Sequence, residues 1–215
     1  ITAPGVVEIG DEAFYGCGSL METDIFTSVE VLGDSAFYGC TNLTEVVLPE
    51  TLSSMGESCF ENCTILKRVV IDGTINGISR YCFYGCRTLS EVVFQDSLAK
   101  SSSIKGIGVR AFGNCTSLER LDLSAQSGLE VMGARTFEGC KNLTNIKLPE
   151  NLQQIPDYCF EGCDALSIVQ LGGDAVVELG DRVFGEKDEL PQFLHIWVKK
   201  EMLSQYQDAY QPVLD

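Results

Sequence analysis

The chain has 215 residues, 45% hydrophobic and 21% charged, a balance that suits a folded protein with a sizeable core and is too apolar for disorder. Its 15 basic and 31 acidic residues leave a net charge of −16, which would repel phosphate backbones and anionic membrane surfaces; no basic cluster offsets this, so nucleic acid is not expected as a partner. No apolar run approaches the roughly 20 residues of a membrane-spanning helix, so direct membrane insertion is not expected either.

The opening stretch, I-T-A-P-G-V-V-E-I-G, lacks a basic segment followed by an apolar one and does not read as a signal peptide. It enters a repeat part-way through and reads as a mature or trimmed chain. The repeat is anchored on Phe-x-x-Cys-x-x-Leu. Its first copies are Phe14/Cys17/Leu20, Phe37/Cys40/Leu43, Phe60/Cys63/Leu66 and Phe83/Cys86/Leu89. Phe112/Cys115/Leu118, Phe137/Cys140/Leu143 and Phe160/Cys163/Leu166 follow, and an eighth copy keeps Phe184 and Leu190 with Lys187 in the cysteine position. Successive phenylalanines are 23, 23, 23, 29, 25, 23 and 24 residues apart, a regularity that marks a repeat architecture.

Within each unit, apolar-x-x-apolar precedes the phenylalanine, usually followed by glycine, as in Val29/Leu32/Gly33 and Leu129/Met132/Gly133. Downstream of each leucine a short alternating segment, such as Leu43-Thr-Glu-Val-Val-Leu-Pro49, predicts a strand of about five residues ended by proline or a polar turn. The segment from glycine to cysteine is too short for a long helix and predicts a turn, or one or two turns of 3₁₀ or α-helix. A unit this small cannot bury its own apolar side. Stacking does so, aligning equivalent residues and joining the strands into a parallel sheet. The six extra residues near Ser97–Ser103 and the two near Ala125–Gly128 then fall outside the coil as surface bulges. At the end of the chain, Phe193 to Val198 predicts a last strand. Met202, Leu203, Tyr206 and Tyr210 share one helical face that would cover the end of the stack, with Pro212 following the helix.

The full pattern, Leu-x-x-Val-x-Leu-Pro…Leu-x-x-Ile-Gly-x-x-x-Phe-x-x-Cys-x-x-Leu, resembles the BspA-like, or Treponema pallidum-type, leucine-rich repeat over about residues 1–190. The resemblance implies an α/β-type leucine-rich-repeat solenoid of about eight units. A parallel sheet forms one face and turns or short helical segments the other, and residues 191–215 make a capping strand and helix of the same domain. It also implies a secreted or cell-surface protein with an adhesive role.

Ten cysteines in a chain of this size invite a disulfide or metal reading, and C-x-x-x-C occurs at Cys59/Cys63, Cys82/Cys86 and Cys159/Cys163. Position 59 corresponds to alanine in other copies (Ala13, Ala36, Ala111), and a metal ligand would not exchange with alanine. Zinc needs four converging ligands, whereas a solenoid sets these in a line. The cysteines are therefore expected to pack as small apolar residues, with a Cys59–Cys82 disulfide as the open alternative. His195 is the sole histidine and no nucleophile motif accompanies it; the glycines suit repeat turns better than a phosphate cradle. No acid–base pair stands out among the scattered carboxylates. Neither catalysis nor a cofactor nor a metal is expected. Four Asn-x-Ser/Thr sequons, at Asn42, Asn62, Asn114 and Asn142, arise from the repeat consensus.

Specificity is expected on the outward positions of the strands. One column reads Glu22, Glu45, Arg68, Glu91, Arg120, Asn145, Ile168, and its charge alternation from Glu45 to Arg120 predicts a cross-strand ladder of structural origin. The other reads Asp24, Val47, Val70, Val93, Asp122, Lys147, Gln170. Three stacked exposed valines are expected there. Val47, Val70 and Val93, rimmed by Glu45, Arg68, Glu91 and Asp122, form the candidate patch for a protein or glycan partner, with plain β-propensity as the competing explanation. The expected function is a non-catalytic binding module; a spacer or stalk holding another domain off a surface is the alternative.

Overall fold

Each repeat makes one coil of a solenoid. The computed structural model describes residues 5–21, 27–72, 75–95, 104–186, 191 and 193–214. The segments 22–26 and 96–103 lie outside these, so Glu22, Asp24 and the larger insertion are not placed.

Two strand positions recur per turn. The apolar-x-x-apolar segments form two-residue strands: β1 (Glu8–Ile9), β2 (Val31–Leu32), β4 (Ser54–Met55), β6 (Gly77–Ile78), β8 (Gly106–Ile107), β10 (Val131–Met132), β12 (Gln154–Ile155) and β14 (Glu178–Leu179). The alternating segments form longer ones: β3 (Glu45–Leu48), β5 (Arg68–Asp72), β7 (Glu91–Gln95), β9 (Arg120–Asp122), β11 (Asn145–Leu148), β13 (Ile168–Leu171) and β15 (His195–Trp197). All pairings are parallel and in repeat register, for example Val46↔Val69↔Val92. The long strands make two sheets, β3-β5-β7 and β9-β11-β13-β15. Sequence alternation anticipates this row. It does not reveal the short-strand row, because two residues are too few to show a period.

The core is a set of columns running along the solenoid. The phenylalanine rings from Phe14 to Phe184 stack with centroid spacings of 5.0–5.8 Å and interplanar angles of 6–16°. Offset-stacked rings at that distance add to the gain from their burial. Leu43, Leu66, Leu89, Leu118, Leu143 and Leu166 make a second column, all buried.

The segment between glycine and cysteine is a stack of turns with neither 3₁₀- nor α-helix among the described residues. In the first turn Glu12, Phe14 and Gly16 donate their N–H groups forward to the carbonyls of Asp34, Ala36 and Tyr38, at 2.7–2.8 Å. Ala13, Tyr15 and Cys17 donate back to Gly10, Glu12 and Phe14. Backbone donors thus alternate between the next turn and their own. The alternation requires positive φ at Glu12, Ser35, Ser58, Tyr81, Arg110, Arg135, Tyr158 and Arg182, between 48° and 61°. A side chain in that region costs about 1–2 kcal/mol; from Glu12 to Tyr158 each such residue recovers an inter-turn hydrogen bond of 2.8–3.1 Å.

At the far end a 3₁₀ turn (Lys200–Met202) leads into α1 (Leu203–Leu214). Met202, Tyr206 and Tyr210 are buried against the last turn, as their spacing predicts. Tyr206 Oη donates to the Ala175 carbonyl (3.0 Å) and accepts from Val177 N–H (3.1 Å), while Tyr210 Oη donates to the Val177 carbonyl (2.6 Å). The phenols therefore satisfy backbone groups that a further repeat would otherwise meet. Two expectations are corrected. Leu203 is half exposed, because it stands one residue, about 100° of helical rotation, away from the buried face that Met202, Tyr206 and Tyr210 share. Pro212 lies within α1, in its last turn.

Candidate functional site

The outer face of the long strands is the surface whose side chains the core does not use. On β3-β5-β7 the register places Glu45 beside Arg68 and Arg68 beside Glu91. Arg68 pairs with both, through Nη1 to Glu45 and Nε to Glu91 Oε2 at 3.1 Å. The hydrogen bond to Glu45, together with both negative charges, holds the guanidinium above its usual range. Three members of the expected ladder are therefore brought together and satisfy one another. The fourth is not. β7 ends the first sheet and β9 opens the second, and among the described residues no ion pair joins Glu91 to Arg120.

The valine column is in register, Val47↔Val70↔Val93. Its exposure differs from expectation: Val47 is 49% exposed and Val93 half-buried, but Val70 retains only 3%. Val70 sits on the central strand, with a neighbouring valine on each side, and it stands apart from the interior cluster that holds Val69 and Ile71. The patch is thus two valines flanking a covered one. Asp122 does not rim it; it belongs to the second sheet, where it pairs with Lys147 Nζ at 2.7 Å and accepts hydrogen bonds from the Ser124 N–H and hydroxyl. Burial works against its charge, but these donors outweigh that and hold the carboxyl below the usual range.

The second sheet continues the outward columns as Asp122↔Lys147↔Gln170↔Trp197 and Arg120↔Asn145↔Ile168↔His195. Trp197, the only tryptophan in the chain, is 56% exposed. The columns read from sequence stop at Gln170 and Ile168. Extending the register one strand further, onto the capping strand, would have found Trp197. His195 is exposed beside it.

All ten cysteines are free thiols, so Cys59 and Cys82 are not bridged. Nine are buried, and Cys17, in the first turn, is exposed. Six of the seven repeat cysteines, Cys40, Cys63, Cys86, Cys115, Cys140 and Cys163, point Sγ at the phenylalanine carbonyl of the preceding turn, at 3.1–3.2 Å. The position therefore needs a small side chain that is also a donor. Burial, helped by the neighbouring thiol of the column, pushes Cys40 up to about 11 and Cys63 up to about 12, and the deeper thiols higher still. They are protonated donors at neutral pH. Among the described residues no three His, Cys, Asp or Glu side chains converge as metal ligands.

Opposite the long strands, Arg110, Glu138, Arg135 and Glu161 form a half-buried chain of ion pairs. Arg135 Nη1 lies 2.5 Å from both Glu138 Oε1 and Glu161 Oε2, with its guanidinium 4.1 Å over the Tyr158 ring. Arg110 Nε lies 2.6 Å from Glu138 Oε2, but off the hydrogen-bonding direction, while Nη2 donates to Oε1 at 3.2 Å. This network bridges three turns and has a structural explanation. Two depressions border the short strands. One, of about 410 Å³, is floored by Gly77 and Gly106 beside Val131; the other, of about 670 Å³, is edged by Glu150, Asp174 and Glu178.

Residues 7–104 and 97–197 match the BspA type leucine-rich repeat region, in six copies. Among solved structures, the chain is similar to a leucine-rich repeat protein of Bacteroides ovatus, with 31% identity over 91% of this chain and a TM-score of 0.62. It is also similar to the Treponema pallidum leucine-rich repeat protein, with 28% identity over 94% and a TM-score of 0.58. The chain spans 43% of the Bacteroides protein and 78% of the Treponema one. No curated protein matches it.

Proposed function

The chain belongs to the BspA-type leucine-rich-repeat family, and on that premise we propose that it is a non-catalytic binding module of a secreted or cell-surface protein, contacting a protein partner through the outer face of β3-β5-β7. The observation that carries this reading is Val47. It is half exposed on the edge strand β3, on a sheet face whose charged residues, Glu45, Arg68 and Glu91, are already paired with one another. Packing does not use that apolar surface, and it lies on a rigid, register-locked frame. Val93 extends it across Val70 to the third strand.

The test is adhesion of beads coated with the purified chain to immobilised cell-surface protein. Val47→Glu and Val93→Glu should abolish adhesion, whereas Val131→Glu, at an exposed position on the short-strand row, should not. Equal adhesion by all three variants, with unchanged circular dichroism, would remove the valine patch from the account. The array would then act as a spacer, whose surface tolerates charge reversal throughout.

A further inference from the structure

We propose that the outer face of β9-β11-β13-β15 is a second binding surface, independent of the valine patch, and that it takes an oligosaccharide bearing carboxylates. The composition of the face sets the ligand class. Of its eight outward positions only Ile168 and Trp197 are apolar; the others carry a guanidinium, an ammonium, an imidazole, two amides and one carboxylate. A stable protein–protein contact buries about 800 Å² per partner around a cluster of apolar anchors, and eight paired positions with Trp197 as their one aromatic do not supply that. A pyranose fits better, because it offers one apolar C–H face for an indole and a rim of hydroxyls for planar donors and acceptors.

Position and charge narrow the class further. Trp197 lies on the edge strand with Gln170 directly beside it in register, so a ring stacked on the indole presents its hydroxyls to that amide. Asn145 stands two strands from His195 in the other column. Four hydrogen-bonded strands at about 4.8 Å spacing hold these groups over roughly 14 Å, the scale of a short oligosaccharide. The outward cations, Arg120 and Lys147, face a single carboxylate, Asp122, which Lys147 already neutralises. Arg120 is exposed and has no ion-pair partner among the described residues. In a chain of net charge −16 this is a local positive site, and a guanidinium is shaped for bidentate contact with a carboxylate.

Because Trp197 is the only tryptophan, its emission reports on this face alone. The probes are an oligogalacturonate and a hyaluronan hexasaccharide, with cellohexaose as the uncharged control. A saturable change in emission with at least one acidic probe is expected, at lower affinity or absent with cellohexaose. By calorimetry, Trp197→Ala should remove binding, Arg120→Ala should weaken it about tenfold, and Val47→Glu should leave it unchanged. No emission change with either acidic probe overturns the proposal. So does unchanged affinity in both Trp197→Ala and Arg120→Ala, each checked for fold by circular dichroism. Cellohexaose binding that matches the acidic probes and ignores Arg120→Ala overturns the acidic assignment. Loss of sugar binding in Val47→Glu would merge the two surfaces, whereas loss of protein adhesion alone in that variant leaves the sugar site standing.

Discussion

Replacing Gly85 by alanine tests what sets the spacing of the turns on the side opposite the long strands. Gly85 has φ +72°, and a Cβ there would overlap Asn62 Oδ1 of the preceding turn. Gly39, the same position two turns earlier, has φ +67° but would bring its Cβ no closer than 3.8 Å to Gly16 Cα. Both alanines bear the left-handed penalty, about 1–2 kcal/mol. Only Gly85→Ala must also displace the Asn62 amide, whose Nδ2 donates to Tyr38 Oη at 3.0 Å. That hydrogen bond is worth about 1 kcal/mol net, so Gly85→Ala should exceed Gly39→Ala by about that amount. In an Asn62→Gly background the obstacle is gone, and the cost of Gly85→Ala should fall to that of Gly39→Ala. Urea unfolding of the four proteins of this cycle, with Gly39→Ala as control and far-UV circular dichroism as the signal, measures the coupling. If Gly85→Ala costs the same in both backgrounds to within about 0.3 kcal/mol, the steric reasoning is wrong. Asn114 and Gly139 repeat the arrangement and should behave alike.

A Cβ on Gly56 would run into the backbone of Gly33, whereas one on Gly10 meets nothing within 4 Å. Gly56→Ala should cost about 3 kcal/mol as a backbone overpacking and Gly10→Ala close to nothing, read as midpoint shifts in urea. Alkylation of the native protein should modify Cys17 alone, and of the denatured, unreduced protein all ten thiols; mass spectrometry counts them, and protected cysteines after denaturation would contradict the free-thiol column. Stability should collapse at alkaline pH. The folded thiols titrate above their unfolded value, so their contribution is complete below about pH 9 and is lost progressively from there up to the folded values. Each buried thiol then loses about 1.4 kcal/mol per pH unit. With nine such groups, unfolding is expected by about pH 10. A flat stability profile between pH 8.5 and 10.5 would refute the assignment.

Much of the fold is legible in the chain because stacking gives equivalent residues equivalent surroundings. Phe37, Phe60 and Phe83 see the same neighbours above and below, so the same side chain recurs and the period can be read directly. The cysteine position was legible as packing but not as hydrogen bonding, since the acceptor is a backbone carbonyl one turn away. The positive-φ positions left no signal at all. Glu12, Tyr81 and Arg110 are not residues that announce a left-handed backbone, and only the carbonyls of the next turn make that conformation favourable.

The candidate surfaces show the same division. Sequence periodicity assigned Val47, Val70 and Val93 to one outward column, and the register confirms it. Which of them meets solvent depended on the groups packed around each, and there Val70 was decided by tertiary structure. The 29-residue interval marked an insertion; that the sheet parts at that point, separating Glu91 from Arg120, followed from the pairing of strands. Repeat identity is local chemistry repeated at fixed intervals, and the amino-acid sequence determines it alone. Exposure, ion pairing and the place of Trp197 beside Gln170 depend on residues far apart in the chain, and only the coiled and stacked backbone brings those together.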